Sequence, residues 1–303
     1  MSDGQIVVSG LTKQYRRVRA VDNLSFEVQS GRVTGFLGPN GAGKTTTLRM
    51  LLNLVQPTAG TATIGGRRYA DLHDPIRTVG AVLEASSAHK GRTGRNHLRV
   101  LAASAGLPAG RVDEVLELVG LTPAAKRKFK GYSLGMKQRL GIAAALLGDP
   151  HVLILDEPAN GLDPEGIRWM RDLLKGLAAG GRTVLVSSHL LSEMQILADD
   201  IVIIAAGQLV RQGSVSTVMD SMSTVARVRV RTPDTEKLTE ALAGGEATVE
   251  SGPDGVIFVS GVDAPAVGAA ALGAGVLLHE LVTERPDLEG VFLELTQGKA
   301  AIR

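Results

Sequence analysis

The sequence predicts an α/β fold built around a phosphate-binding loop, with a helical insertion and a small C-terminal α+β domain. Three observations carry that expectation. The apolar run Val33-Thr34-Gly35-Phe36-Leu37 leads into Gly38-Pro39-Asn40-Gly41-Ala42-Gly43-Lys44-Thr45, and a helical pattern follows from Thr45 to Leu54. Val152–Leu155 and Thr183–Val186 are continuous apolar runs on either side of a helical stretch, Pro164–Ala178. That is how two parallel strands buried on both faces and joined by a crossover read in sequence. Finally, the charge balance changes near residues 220–224. From Met222 onward there are 7 basic and 12 acidic residues, out of 33 and 31 in the whole chain.

The remaining elements follow in order. Gln5–Val8 and Leu24–Val28 are rich in β-formers. From about Asp71 to Gly148 the chain reads as mostly helical. Val112, Val115, Leu116 and Val119 recur at helical spacing, and Leu140–Leu147 forms a second apolar helix. Ile201–Ile204 and Gln208–Val210 flank Ala206-Gly207 as a hairpin. The tail reads as strand (225–230), helix (234–243), two strands (Thr248-Val249 and Val256–Val259) and an Ala/Gly-rich helix. His279, the tail's only histidine, reads as a helix-surface residue. Val256–Val259 and Val291-Phe292-Leu293 are expected in the tail's small core. The predicted domains are 1–222, with a helical subdomain at about 72–148, and 223–303.

Composition excludes several function classes. With 0 Cys, neither a disulfide framework nor a thiolate zinc site is open to the chain. A mean hydropathy of +0.12 raises the question of a membrane span. The longest charge-free stretch near the C-terminus, Ala264–His279, contains Pro265 and several glycines and is shorter than the ~18 residues a span requires. Met1–Gly4 opens no signal peptide, so a cytosolic protein is expected, with any membrane work delegated to a partner. The basic first part favours an anionic ligand. Aromatics are only 3%, too few for single-strand stacking, and no nucleic acid partner is expected.

The loop at Gly38–Thr45 matches G-x-x-x-x-G-K-[ST] in full. Gly38, Gly41 and Gly43 let the backbone wrap with its N–H groups turned inward, and Pro39, Asn40 and Ala42 complete the cradle. The helix that opens at Lys44 offers its positive end. Lys44 can reach the outer phosphates and the Thr45 hydroxyl can bind Mg²⁺, with Thr46 alongside. Asp156 and Glu157 close the apolar run at Val152–Leu155, and 112 residues separate Lys44 from Asp156. A carboxylate at a parallel strand end beside such a loop can hold Mg²⁺, and the next one can polarise a water as general base. Taken alone, the pair also fits an acidic helix cap.

Further motifs stand in a telling order. Tyr132-Ser133-Leu134-Gly135-Met136 lies just ahead of the Asp156 strand, Asn160-Gly161-Leu162-Asp163-Pro164 follows it, and His189 follows Val184–Ser188. Together with the phosphate loop, these resemble the ATP-binding subunits of ABC transporters, over about Gly4–Met219. The resemblance implies a P-loop NTPase fold of the ABC ATPase type. It makes 132–136 the signature sequence, departing from the usual Leu-Ser-Gly-Gly-Gln at Tyr132, Leu134 and Met136 but keeping Ser133 and Gly135. A hydroxyl and a free backbone N–H at a helix start suit an anion, while the lesser reading of Ser133 alone is an ordinary helix cap. Asp163 belongs to the family's D-loop, His189 occupies the place of the switch histidine, and Tyr15 that of the adenine-stacking aromatic. Glu84 stands where the family has a metal-side Gln. Glu84, the variant signature and the ending Leu288–Thr296 are similar to the bacitracin- and daunorubicin-resistance exporter branch, with Gly290 in place of the usual Asp.

The resemblance implies an ATPase, with ATP and Mg²⁺ as its ligands, that energises a separate membrane permease for export of a drug, antibiotic or other amphiphile. It would sit on the cytoplasmic face of the membrane. A second copy or a paralogue would pair with it head to tail, each ATP lying between residues 38–46 of one chain and Ser133 and Gly135 of the other. Glu157 would hold the water and His189 would sense the γ-phosphate. The segment 84–98, with Lys90, Arg92 and Arg95, is the candidate surface for the permease. The rival reading is a soluble ABC-type ATPase acting on a non-membrane partner.

Overall fold

The computed structural model describes residues 4–83, 88–221, 227–243, 246–252, 255–284 and 292. Two compact units divide the chain, Met1–Val218 and Met219–Glu294.

In the first unit, β1 (Ile6–Tyr15) and β2 (Val18–Val28) form a hairpin, β3 (Val33–Leu37) enters the phosphate loop, and α1 (Lys44–Leu51) leaves it. Then come β4 (Ala59–Ile64), the single turn α2 (Pro75–Thr78) and β5 (Val79–Val82). Three helices follow, α3 (Gly94–Ser104), α4 (Arg111–Leu118) and α5 (Leu134–Ala145). The unit continues with β6 (Val152–Asp156), α6 (Pro164–Ala179), β7 (Thr183–Ser188), α7 (Leu191–Leu197), β8 (Asp200–Ala205) and β9 (Gln208–Ser214). A short helix, α8 (Val215–Ser221), spans the point of division.

Two sheets result. One is antiparallel, in the order β2-β1-β4. The other runs β5-β6-β7-β3-β8-β9, parallel except for β9. All five residues of β3 and all six of β7 are buried, which explains why Val184–Val186 reads as an apolar run without alternation, with the buried hydroxyls Ser187 and Ser188 following it. Phe26 of β2 stacks on Phe36 of β3 with ring centroids 5.2 Å apart, joining the sheets through a core that includes Leu48 and Leu51 of α1. Register then positions the chemistry. Leu37 pairs with Ser188, and Ser187 with Asp156, so the ends of β3, β7 and β6 share one edge of the sheet. Loops at the carboxyl ends of parallel strands are where α/β folds place ligands.

Within the stretch expected to be mostly helical, Val79–Val82 is instead the edge strand β5, paired with β6. Its four residues are too short for periodicity to reveal, and Gly80 breaks the β-former run. Gly80 is needed there, since a Cβ would fall 2.2 Å from the Ala145 carbonyl of α5. Strand β4 also escaped the sequence reading, since Ala59-Gly60-Thr61 is small and hydroxylated and only Ala62 and Ile64 are buried. Helix α5 starts at Leu134, six residues before its apolar run, because Ser133 caps it.

The second unit is an antiparallel sheet with two helices. Its elements are β10 (Arg227–Arg231), α9 (Thr235–Leu242), β11 (Thr248–Ser251), β12 (Val256–Ser260), α10 (Ala264–Ala274) and β13 (Glu280–Glu284), with sheet order β11-β12-β10-β13. Alternation assigns the faces. Val228, Val230, Ile257 and Val259 meet Leu238, Leu242 and Val267 in a core. Val256 and Phe258 point to the other face, where the Arg227 guanidinium lies 4.1 Å from the Phe258 ring centroid. His279 is not on a helix: its N–H donates to the Arg231 carbonyl at 2.8 Å just before β13. Val291 and Leu293, expected in this core, lie outside the described residues. Among the described residues, no helix is long and apolar enough to cross a membrane.

Candidate functional site

The loop between β3 and α1 takes its shape from glycines. Gly41 has φ +80° and Gly43 φ +102°, in the left-handed region. A Cβ at Gly43 would lie 2.5 Å from the Ala20 carbonyl oxygen, and one at Gly38 would lie 2.6 Å from that of Ile204. The loop is braced by the Ala42 N–H on Pro39 O (3.1 Å) and the Gly207 N–H on Ala42 O (3.0 Å). Gly207, which reads in sequence only as a hairpin turn, thus supports the phosphate loop.

Lys44 is 6% exposed, yet its ammonium is well partnered. It donates to Gly38 O at 2.7 Å and Pro39 O at 3.4 Å, and lies 3.4 Å from Glu157 Oε1. A buried cation needs such partners, because desolvation would otherwise outweigh its attractions. Thr45 Oγ1 donates to Asp156 Oδ2 at 2.7 Å, and Ser187 Oγ donates to Asp156 Oδ1.

Glu157 has φ +49°, a left-handed conformation uncommon outside glycine. Its N–H is held by Ser187, to Oγ at 3.0 Å and to the carbonyl at 3.2 Å. This turn aims the carboxylate between two cation-forming groups, with Oε1 toward Lys44 and Oε2 2.7 Å from His189 Nδ1. A carboxylate can only accept, so the Nδ1-protonated tautomer of His189 makes that bond. His189 itself is 41% exposed on its side chain. Ser187 therefore organises both carboxylates. Its position opposite Asp156 is a matter of register that a single sequence does not display.

The other expected site residues lie elsewhere. Ser133 caps α5, accepting from Met136 N–H at 3.2 Å, and Gly135 sits against Leu162. Asp163 caps α6, accepting from Gly166 N–H at 2.8 Å. Tyr15 is exposed at the end of β1, with the Lys13 ammonium 5.0 Å from its ring centroid. Glu84 lies outside the described residues.

Glycines make room for Tyr132 and Leu134. The Tyr132 hydroxyl donates to Ala124 O at 2.9 Å, and a Cβ at Gly94 would fall 2.1 Å from it. Burial raises the pKa of the Tyr132 phenol, with Arg127 opposing. Leu134 lies over Gly161, where a Cβ would fall 2.0 Å from its Cδ2.

A separate cleft of about 570 Å³ opens beside β5 and α5, with Leu52, Leu83, Leu101 and Leu140 on its walls and Arg49, His97 and Lys137 among its polar groups. Burial lowers the His97 pKa, and Arg92 lowers it further.

Residues 21–160 match the family model described as ABC transporter. The bacitracin transport ATP-binding protein BcrA of Bacillus licheniformis is 45% identical over 210 residues, 68% of this chain and 69% of the relative. The chain belongs to the ABC transporter ATP-binding proteins. It is accordingly an ATP-binding, ATP-hydrolysing subunit that works with a membrane permease. The daunorubicin/doxorubicin resistance ATP-binding protein DrrA of Streptomyces peucetius is 36% identical over 96% of this chain and 92% of its own, so the likeness extends through the second unit. Residues 226–289 also match a family model described as a domain of unknown function. A solved ATP-binding subunit of an ABC transporter superposes with TM-score 0.65 at 27% identity, covering 71% of this chain and 92% of that one.

Proposed function

We propose that this ATP-binding subunit hydrolyses ATP with Glu157 as general base and drives a permease that exports a drug, antibiotic or similar amphiphile. The observation that carries the chemical part is the placement of the Glu157 carboxylate at the end of β6, 3.4 Å from the Lys44 ammonium and 2.7 Å from His189. The phosphate loop and Lys44 bind the phosphates: the backbone N–H groups and the ammonium neutralise their charge, and α1 adds its positive end. Glu157 takes a proton from the attacking water. His189 orients Glu157 through Nδ1 and leaves Nε2 toward solvent or phosphate. Thr45 and Asp156 form a hard oxygen donor pair 2.7 Å apart, the set that suits Mg²⁺, and these two side chains would hold it. When bound, Mg²⁺ supplies charge neutralisation at the outer phosphates.

Two copies, or one copy and a paralogue, act head to tail. Ser133 and Gly135 at the start of α5 complete the partner's nucleotide site. Asp163 and Tyr15 contribute at the interface and at the adenine. The subunit sits at the cytoplasmic face through its permease, and the cleft by β5 receives an amphipathic permease helix, its leucines taking the apolar side and Arg49, His97 and Lys137 the polar side. The export assignment rests on the likeness to the bacitracin and daunorubicin/doxorubicin proteins. Residues 1–222 carry ATP chemistry and 223–303 stabilise or regulate the pair.

The test is the Glu157→Gln variant of the whole chain. Expected are retained ATP binding, an ATP-dependent dimer by size-exclusion chromatography, and turnover lowered ~10²–10⁴-fold. Wild-type turnover would overturn the role of Glu157. Purification from membranes should also bring down an integral membrane protein.

A further inference from the structure

We propose that Gln138 and Arg139 are positioning residues that join the start of α5 to the turn after Glu157, so that occupancy of one nucleotide site is relayed to the catalytic carboxylate of the other. The inference rests on the reading in which α5 of one copy faces the nucleotide of its partner.

One face of α5 is fastened to that turn and to α6. Leu134 lies over Gly161, which has φ +74° and no room for a Cβ. One helical turn on, Gln138 is 7% exposed, and its Nε2 donates to the Asn160 carbonyl at 3.4 Å. Asn160 in turn donates its N–H to the Glu157 carbonyl at 3.2 Å. Only two hydrogen bonds and one residue therefore separate α5 from the backbone of the catalytic carboxylate. Arg139 adds a second fastening. Its guanidinium lies 4.2 Å from the Trp169 ring centroid on α6, and Nη1 donates to Val119 O at the end of α4 at 3.3 Å. A cation over an aromatic face and on a helix C-terminal carbonyl is favourable on both counts.

The consequence is mechanical. The left-handed turn at Glu157 is held from one side by Ser187 and from the other by Asn160. A shift of α5 as Ser133 engages phosphate moves Gln138, and through Asn160 it moves the Glu157 turn. A purely packing role would need neither the Gln138 donor nor the planar guanidinium of Arg139.

The test uses the full chain with Gln138→Leu, which keeps bulk and removes the donor, and Arg139→Lys, which keeps charge and removes the flat stacking face. For Gln138→Leu the expected result is a kcat lowered about tenfold, as for loss of one positioned hydrogen bond. ATP affinity and melting temperature should stay near wild type, and the Hill coefficient for ATP should fall to one. Arg139→Lys should reduce the ATP-induced change in emission of Trp169, the chain's 1 tryptophan, measured in the Glu157→Gln background. Unchanged kcat and Hill coefficient in Gln138→Leu would overturn the proposal, as would a loss of activity that only tracks a loss of folded protein. If Gln138→Leu does not fold, an unchanged Trp169 response in Arg139→Lys overturns it instead. A Glu157→Gln chain that never dimerises with ATP would refute the underlying head-to-tail reading, which separates the two failures.

Discussion

The phosphate-loop corner and the start of α5 differ in how far the chain connects them by itself. At the corner, Lys44, Thr45, Asp156, Glu157, Ser187 and His189 form one connected network of hydrogen bonds and ion pairs. At α5, Ser133 caps its own helix, and among the described residues no hydrogen bond joins it to the phosphate loop. Under the proposed function, binding and proton transfer are prepared within one chain, whereas turnover waits for a second chain to supply α5.

The largest effect is expected at the corner. Lys44→Ala removes the buried cation of the phosphate loop and takes from the Glu157 carboxylate one of its two partners, His189 being the other, so MgATP affinity should fall by at least ~100-fold in a titration, a loss on the scale of breaking a buried pair. Unchanged affinity would refute the loop assignment. Next comes Glu157→Gln, where turnover drops ~10²–10⁴-fold while binding survives, separating chemistry from binding at the same corner. Ser133→Ala tests the other end. Affinity of the single chain for ATP should stay within about twofold, while ATP-dependent dimerisation weakens about tenfold; the cap lost from α5 itself costs only ~1 kcal/mol. Equal loss in both measurements would erase the contrast. Tyr132→Phe should cost about 1 kcal/mol of stability in urea unfolding, through the hydrogen bond to Ala124, with ATP affinity unchanged. The smallest effect on the nucleotide is expected from a chain ending near Met222: it should bind MgATP as the full chain does, with a changed oligomeric mass. Lost binding by a folded, shortened chain would place the second unit in the site.

Much of this was legible in the sequence because it is local. A glycine loop between a strand and a helix, an apolar run ending in Asp156-Glu157, and Asp163-Pro164 opening a helix each declare themselves within about ten residues. The crossover expected at Pro164–Ala178 is α6, Pro164–Ala179, because a cap, a first-turn proline and helical periodicity agree there. By contrast, β5 and β13 carry no such signal, since four or five residues with one glycine or flanking acids leave no period to detect.

The motif residues and their order along the chain are readable from the sequence alone, because each motif is made of neighbouring residues. The tertiary structure decided how they meet. Parallel register put Ser187 opposite Asp156 and under the Glu157 N–H, and it set the His189 ring 2.7 Å from a carboxylate 32 residues earlier in the chain. Folding also makes room for the bulk of Tyr132 and Leu134. The space they need is left by Gly94 and Gly161, which lie next to them only after folding, and no pattern along the chain reports a void between distant segments.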